Sequence, residues 1–132
     1  MKVYVFGNID VEGDNGAIEF AQKNKIENIE FEFVDPNNDL PLLSKEKICI
    51  LDTMMGIEEV TLFSERDIDS LELAPRVTGH DYDLGFQLKY LKKIGKIKKI
   101  RIIGIPMDKE KVDYERIIFI LRKLVAQDIQ GS

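Results

Sequence analysis

One cysteine in 132 residues, Cys49, leaves no disulfide framework and no thiolate metal site to build from. Because Cys49 falls inside an apolar run, it reads as a small buried core residue, and a reducing cytoplasm is the expected setting. Long hydrophobic runs are also missing. Nothing approaches the roughly 18 apolar residues of a membrane span, and the opening Met1–Phe6 meets Gly7 too early to hold the apolar core of a signal peptide. The Gly-x-Gly-x-x-Gly and Gly-Lys-Ser/Thr patterns of phosphate cradles are absent, and the carboxylates around Gly7–Gly13 would repel a phosphate. There is no His-Glu-x-x-His, no Gly-x-Ser-x-Gly and no Cys/His pair for a thiol nucleophile. Any hydrolysis would therefore rest on a metal or a carboxylate.

What is present suits one domain, residues 1–132, with 44% hydrophobic content and enough chain for a core. The net charge of −5 conceals an asymmetry: residues 1–88 carry 7 Lys/Arg against 19 Asp/Glu, whereas residues 89–132 carry 12 against 5. Lys89, Lys92, Lys93 and Lys96 recur at helical spacing opposite Leu84, Leu88 and Leu91, the pattern of a solvated helix face. Aromatic side chains that would stack on bases are sparse there, so neither nucleic acid nor a membrane is an expected partner.

The hydrophobic pattern alternates strands with helices. Lys2–Phe6 reads as a first strand ending at Gly7-Asn8. A helix from Asn15 to about Lys25 would turn Ala17, Ile18, Phe20 and Ala21 inward. Ile29–Val34 alternates Ile29, Phe31 and Phe33 with Glu30 and Glu32, an edge strand with one wet face. Asp35–Asp39 with Pro41 is a turn or loop. Ile48–Leu51, apolar throughout, is the candidate for the centre of the sheet. Val60–Phe63 is a short strand, and Ser64–Thr78 a charged loop around a turn of helix. His80 or Asp81 opens a helix to about Ile94, closed at Gly95. Ile100–Ile105 is a second buried strand ended by Pro106, and Val112–Ile129 a final helix on Ile117, Ile118, Leu121, Leu124 and Val125. Gln130–Ser132 is assigned no role. The order implies an α/β three-layer sandwich with a mostly parallel central sheet flanked by helices.

In open α/β sheets ligands settle beyond the carboxyl ends of the strands. Asp14 behind Gly7-Asn8, Asp52 after the central strand and His80 from a separate connection could all reach that edge. Together they make an O,O,N donor set suited to Zn²⁺, Ni²⁺ or a neighbouring divalent transition metal, with positions open for water or substrate. Each has an ordinary alternative. Asp14 suits a turn, Asp52 suits the cap of a short following helix, and His80 suits an exposed loop.

The order and register of these short motifs resemble the hydrogenase maturation endopeptidases. Val5-Phe6-Gly7-Asn8, the acidic Asp14 in the next loop, Ile50-Leu51-Asp52-Thr53, and His80-Asp81-Tyr82-Asp83-Leu84-Gly85 followed by Ile102-Ile103-Gly104-Ile105-Pro106 carry the likeness across most of the chain. The resemblance implies a metal-dependent endopeptidase that removes the C-terminal extension of a nickel–iron hydrogenase large-subunit precursor after nickel insertion. Asp14, Asp52 and His80 would be its metal-binding and catalytic residues, and the nickel, or another divalent transition metal, would be presented by the substrate. Whether the metal polarises the scissile carbonyl, activates water, or leaves a carboxylate to act as base stays open.

The chain departs from the family pattern at several positions. Gly13 stands where the first of two carboxylates is usual, Asn15 where a glycine follows the pair, Asp10 where the family is apolar, and residues 35–47 are short where a helix is customary. These departures support an alternative, a non-proteolytic relative that binds nickel or docks on a hydrogenase subunit. A third reading is an α/β domain for a small organic ligand, which requires the three side chains to point apart.

Overall fold

The computed structural model of the chain describes residues 1–7, 15–34, 47–54, 56–70 and 99–131, with the backbone alone for 68–70 and 128–131. Five strands form one sheet in the order β2-β1-β3-β5-β4. They are β1 Lys2–Val5, β2 Glu30–Phe33, β3 Lys47–Met54, β4 Thr61–Ser64 and β5 Lys99–Pro106. All neighbours run parallel except β4, which is antiparallel to β5. Two α-helices belong to the described residues, α1 Gly16–Lys23 and α2 Tyr114–Gly131.

The central strand is β3, as its apolar run predicts. It is longer than that run: Asp52, Thr53 and Met54 continue it, paired in register with Gly104, Ile105 and Pro106 of β5. Asp52 therefore caps no helix and lies inside the strand. A charged residue reads as a strand end in sequence, but here the apolar partner β5 carries the ladder two residues further.

Alternation along the strands divides the core in two. Val3, Val5, Cys49, Leu51, Ile103 and Ile105 meet Ala17, Phe20 and Ala21 of α1 and Ile117, Leu121 and Leu124 of α2 on one face. Tyr4, Phe6, Ile48, Ile50, Met54, Ile100 and Ile102 form the opposite cluster, with Val34, Ile57 and Phe63 packed against it. Both described helices thus cover one face. The helix expected from His80 to Ile94 lies outside the described residues, as does the Asp35–Asp39 turn.

Phe20 ties three elements together. Fully buried, it meets Phe31 of β2 edge-on at 6.2 Å and Tyr114 of α2 at 5.1 Å. Each such aromatic pair contributes about 0.5–1.5 kcal/mol beyond its buried area. The helix ends at Lys23, earlier than the pattern suggests, because Asn24 leaves helical geometry (φ −128°, ψ 127°) and its Nδ2 donates to Phe20 O at 2.9 Å. On the edge strand β2, Phe31 turns inward but Phe33 is 49% exposed. At the far end, α2 begins two residues later than expected and continues to Gly131, so Gln130 and Gly131 belong to the helix. A 3-10 turn, Lys109–Lys111, precedes it, and Arg116 Nε donates to Val60 O at 2.6 Å, tying α2 to the approach to β4.

At the other edge, a 3-10 helix over Glu65–Ser70 follows β4. Glu65 Oε2 accepts from Ile100 N at 3.1 Å and from Arg101 Nη1 at 2.8 Å. Burial pushes the Glu65 carboxyl up, but these backbone and guanidinium donors outweigh it and hold it below the ordinary carboxylate range.

Gly104 is needed for packing. A Cβ there would overlap Met54 Sδ and come within 3.0 Å of Phe63 Cε2 and 3.2 Å of Ile57 Cδ1. Gly104→Ala is expected to destabilise the fold by about 1–3 kcal/mol through overpacking. Urea unfolding would show a lowered midpoint at unchanged slope; an unchanged midpoint would mean that this side of the sheet repacks freely.

Candidate functional site

The carboxyl edge of the sheet is where the described residues gather their buried polar groups. Asp52, Thr53 and Asn15 are the buried polar side chains among them, and Asp52 is fully withdrawn from solvent. A carboxylate without water needs donors or a cation to replace its hydration. One donor is local: Thr53 N–H reaches Asp52 Oδ1 at 2.9 Å.

Strand geometry sets the surroundings of Asp52. By alternation its side chain shares the face of Ile50 and Met54, opposite to α1 and α2. Its register partner on β5 is Gly104, and the space that Gly104 leaves on that face is taken by Met54, Ile57 and Phe63. On the other side, Val5 pairs with Leu51, and Phe6 N donates to Leu51 O at 3.0 Å, so β1 ends alongside Asp52. The chain then turns at Gly7 with φ 143°, a conformation open to glycine and strained for any L side chain.

The chain re-enters the described structure at Asn15. Gly16, the first residue of α1, sits so close to the sheet that a Cβ would lie 3.3 Å from Thr53 Cγ2 and 3.5 Å from Ile105 Cγ2. The amino end of α1, with its positive dipole end, is thereby fixed at the same edge as Asp52. Asn15 occupies the N-cap position (φ −108°, ψ 0°) but makes no side-chain capping bond. Its Oδ1 is buried without a hydrogen-bond partner among the described residues. Leaving an acceptor in that state costs about 1–3 kcal/mol, which marks Asn15 as a residue the sequence reading undervalued. Its signal in the sequence is weak, because Asn between Asp14 and Gly16 looks like any turn or capping residue.

Of the three residues singled out from sequence, Asp52 is placed, while Asp14 and His80 lie outside the described residues. Among the described residues no group of three His, Cys, Asp or Glu side chains is arranged to hold a metal ion. Cys49, on the α1/α2 face of β3, is buried as expected. Burial pushes its thiol up to about 12, with Arg101 acting in the opposite sense, so it stays a protonated core group.

Asp52→Ala would remove the acceptor from the buried Thr53 N–H and is expected to cost about 1–3 kcal/mol. Asp52→Asn, which retains an oxygen at that position, is expected to cost less. Chemical denaturation of both variants checks the order; equal stability of Asp52→Ala and wild type would show that the Thr53 bond contributes nothing.

No family model and no curated protein matches this sequence. Among solved structures, the chain is similar to the hydrogenase maturating endopeptidase HybD from E. coli, with 15% sequence identity and a TM-score of 0.56. The likeness covers 99% of this chain and 94% of that one. Identity that low establishes architecture: this chain has the α/β fold of that endopeptidase, with a mostly parallel sheet.

Proposed function

We propose that this protein is a metal-dependent endopeptidase that trims the C-terminal extension of a nickel–iron hydrogenase large-subunit precursor once nickel has been inserted. The observation that carries the reading is Asp52, a fully buried carboxylate on the central strand at the carboxyl edge, in a fold shared with a hydrogenase maturating endopeptidase. No helix among the described residues is long and apolar enough to cross a membrane, and a cytoplasmic location is part of the proposal.

Asp14, Asp52 and His80 would share the coordination of nickel already seated in the precursor. The donor chemistry fits. An Asp52 carboxylate held by Thr53 N–H offers a hard oxygen, and the unpartnered Asn15 Oδ1 offers a neutral one at the same edge of the sheet. Metal bound there would supply Lewis-acid polarisation of a carbonyl or of water. The protein's own contribution is to bind and orient. Asp52 is fixed by its strand and its Thr53 bond, the Met54–Ile57–Phe63 side is apolar, and the amino end of α1 favours a negatively charged group nearby. A requirement for nickel in the precursor would make trimming a checkpoint on metal insertion.

The test is a cleavage assay on nickel-loaded and nickel-free precursor, read by mass spectrometry. Trimming of the loaded precursor alone, abolished in folded Asp52→Asn, is the expected outcome. Normal trimming by that variant would overturn the assignment. Binding to the loaded precursor with no cleavage would move the reading to the non-proteolytic, nickel-binding or hydrogenase-docking relative that Gly13 and the short 35–47 segment favour.

A further inference from the structure

The opposite edge of the sheet, where the parallel strands begin, holds a cavity of about 320 Å³. Four cationic side chains line it, Lys2, Lys47, Lys99 and Arg101, and no carboxylate does so among the described residues. Two of the four are already compensated: Lys2 lies 3.6 Å from Glu32, and Arg101 lies 2.8 Å from Glu65. Lys47 and Lys99 are not. Both are exposed, neither side chain has an ion pair or hydrogen bond among the described residues, and they are register partners as the first residues of β3 and β5.

Like charges directly across a ladder repel, and adjacent strands are only about 4.8 Å apart. Exposure and salt weaken that repulsion; Glu65, whose carboxylate accepts from Ile100 N beside Lys99, is committed to Arg101. Behind the lysines Cys49 of β3 and Leu124 of α2 give the cavity an apolar part, and Gln127 and Tyr4 add polar atoms to its lining. A concave site with an apolar floor and a few convergent charges at its rim is the usual form of a small-ligand site. Lys47 is five residues before Asp52 on the same strand, about 17 Å at strand rise, so this cavity is separate from the carboxyl edge.

We propose that this cavity binds a small organic anion, its charged end between Lys47 and Lys99 and its apolar body against Cys49 and Leu124, which share one face of the sheet. Arg101, held by Glu65, adds a fixed guanidinium to the same cavity. The charged end supplies what the two lysines lack, and the apolar body occupies space that inorganic ions would leave to water.

The experiment is an NMR titration of the ¹⁵N-labelled full chain with phenyl phosphate, and separately with inorganic phosphate and with phenol. Saturable shifts confined to the amides of Lys47, Cys49, Lys99 and Arg101 are expected with phenyl phosphate, with weaker binding of the other two probes. The variant Lys47→Gln/Lys99→Gln, whose substitutions are at exposed strand starts, should keep a dispersed spectrum and weaken phenyl phosphate binding by about tenfold or more. Three results would overturn the proposal: no saturable shift at these amides, equal binding of inorganic phosphate, or unchanged affinity in the double variant.

Discussion

Everything placed in this molecule depends on the pairing of β3 with β5. The ladder runs without interruption from Lys47–Lys99 to Met54–Pro106, and most of its side chains are fully buried on one face or the other. Burial on both faces leaves the backbone amides only each other as partners, which makes the register costly to change. A slip of β3 by one residue would move Cys49 and Leu51 off the α1/α2 face and bring Asp52 onto it. The same register sets both edges of the sheet. At one end it pairs Asp52 with Gly104, and at the other it pairs two lysines.

The carboxyl edge follows from that constraint. Gly104 has no side chain, so Met54, Ile57 and Phe63 can close in on the face that Asp52 shares. Gly16 allows α1 to approach Thr53 and Ile105 closely enough to hold the helix's amino end at this edge. Gly7, just past the end of β1, adopts a positive φ that only glycine takes without strain. Three glycines and one buried carboxylate thus set up a polar site at the rim of an apolar sheet. Such a site is one where local burial conflicts with stability and function is the usual reason.

Much of the fold was legible in the sequence because burial on two faces leaves a continuous apolar run. Ile48–Leu51 and Ile100–Ile105 therefore identified the two central strands, and the alternation of Ile29–Val34 identified the edge strand, observed over Glu30–Phe33. The continuation of β3 through Asp52 was not legible, since a carboxylate and a threonine look like an exit when the partner strand is unseen. Nor was the antiparallel direction of β4, which tertiary packing decides. The edge exposure of Phe33 and the early end of α1 at Asn24 depend on neighbours that no local pattern reports. Motif order singled out Asp52, but its complete burial within the central strand is seen only in the structure. Asn15 was passed over because its type suits a cap, and only the geometry shows that its oxygen caps nothing. The pairing of Lys47 with Lys99 is likewise a property of register and not of either segment.

The proposed function requires that Asp52 and His80 act on one metal ion, although they are separated along the chain. Because His80 is the single histidine, its ring resonances report on it without ambiguity. The direct measurement is paramagnetic broadening by Ni²⁺, followed at the His80 ring and at the Thr53 amide beside Asp52. Simultaneous broadening of both in the wild type, lost at the same nickel concentration in Asp52→Asn, is the predicted result. Broadening of His80 alone, or equal broadening in the variant, would contradict a shared site.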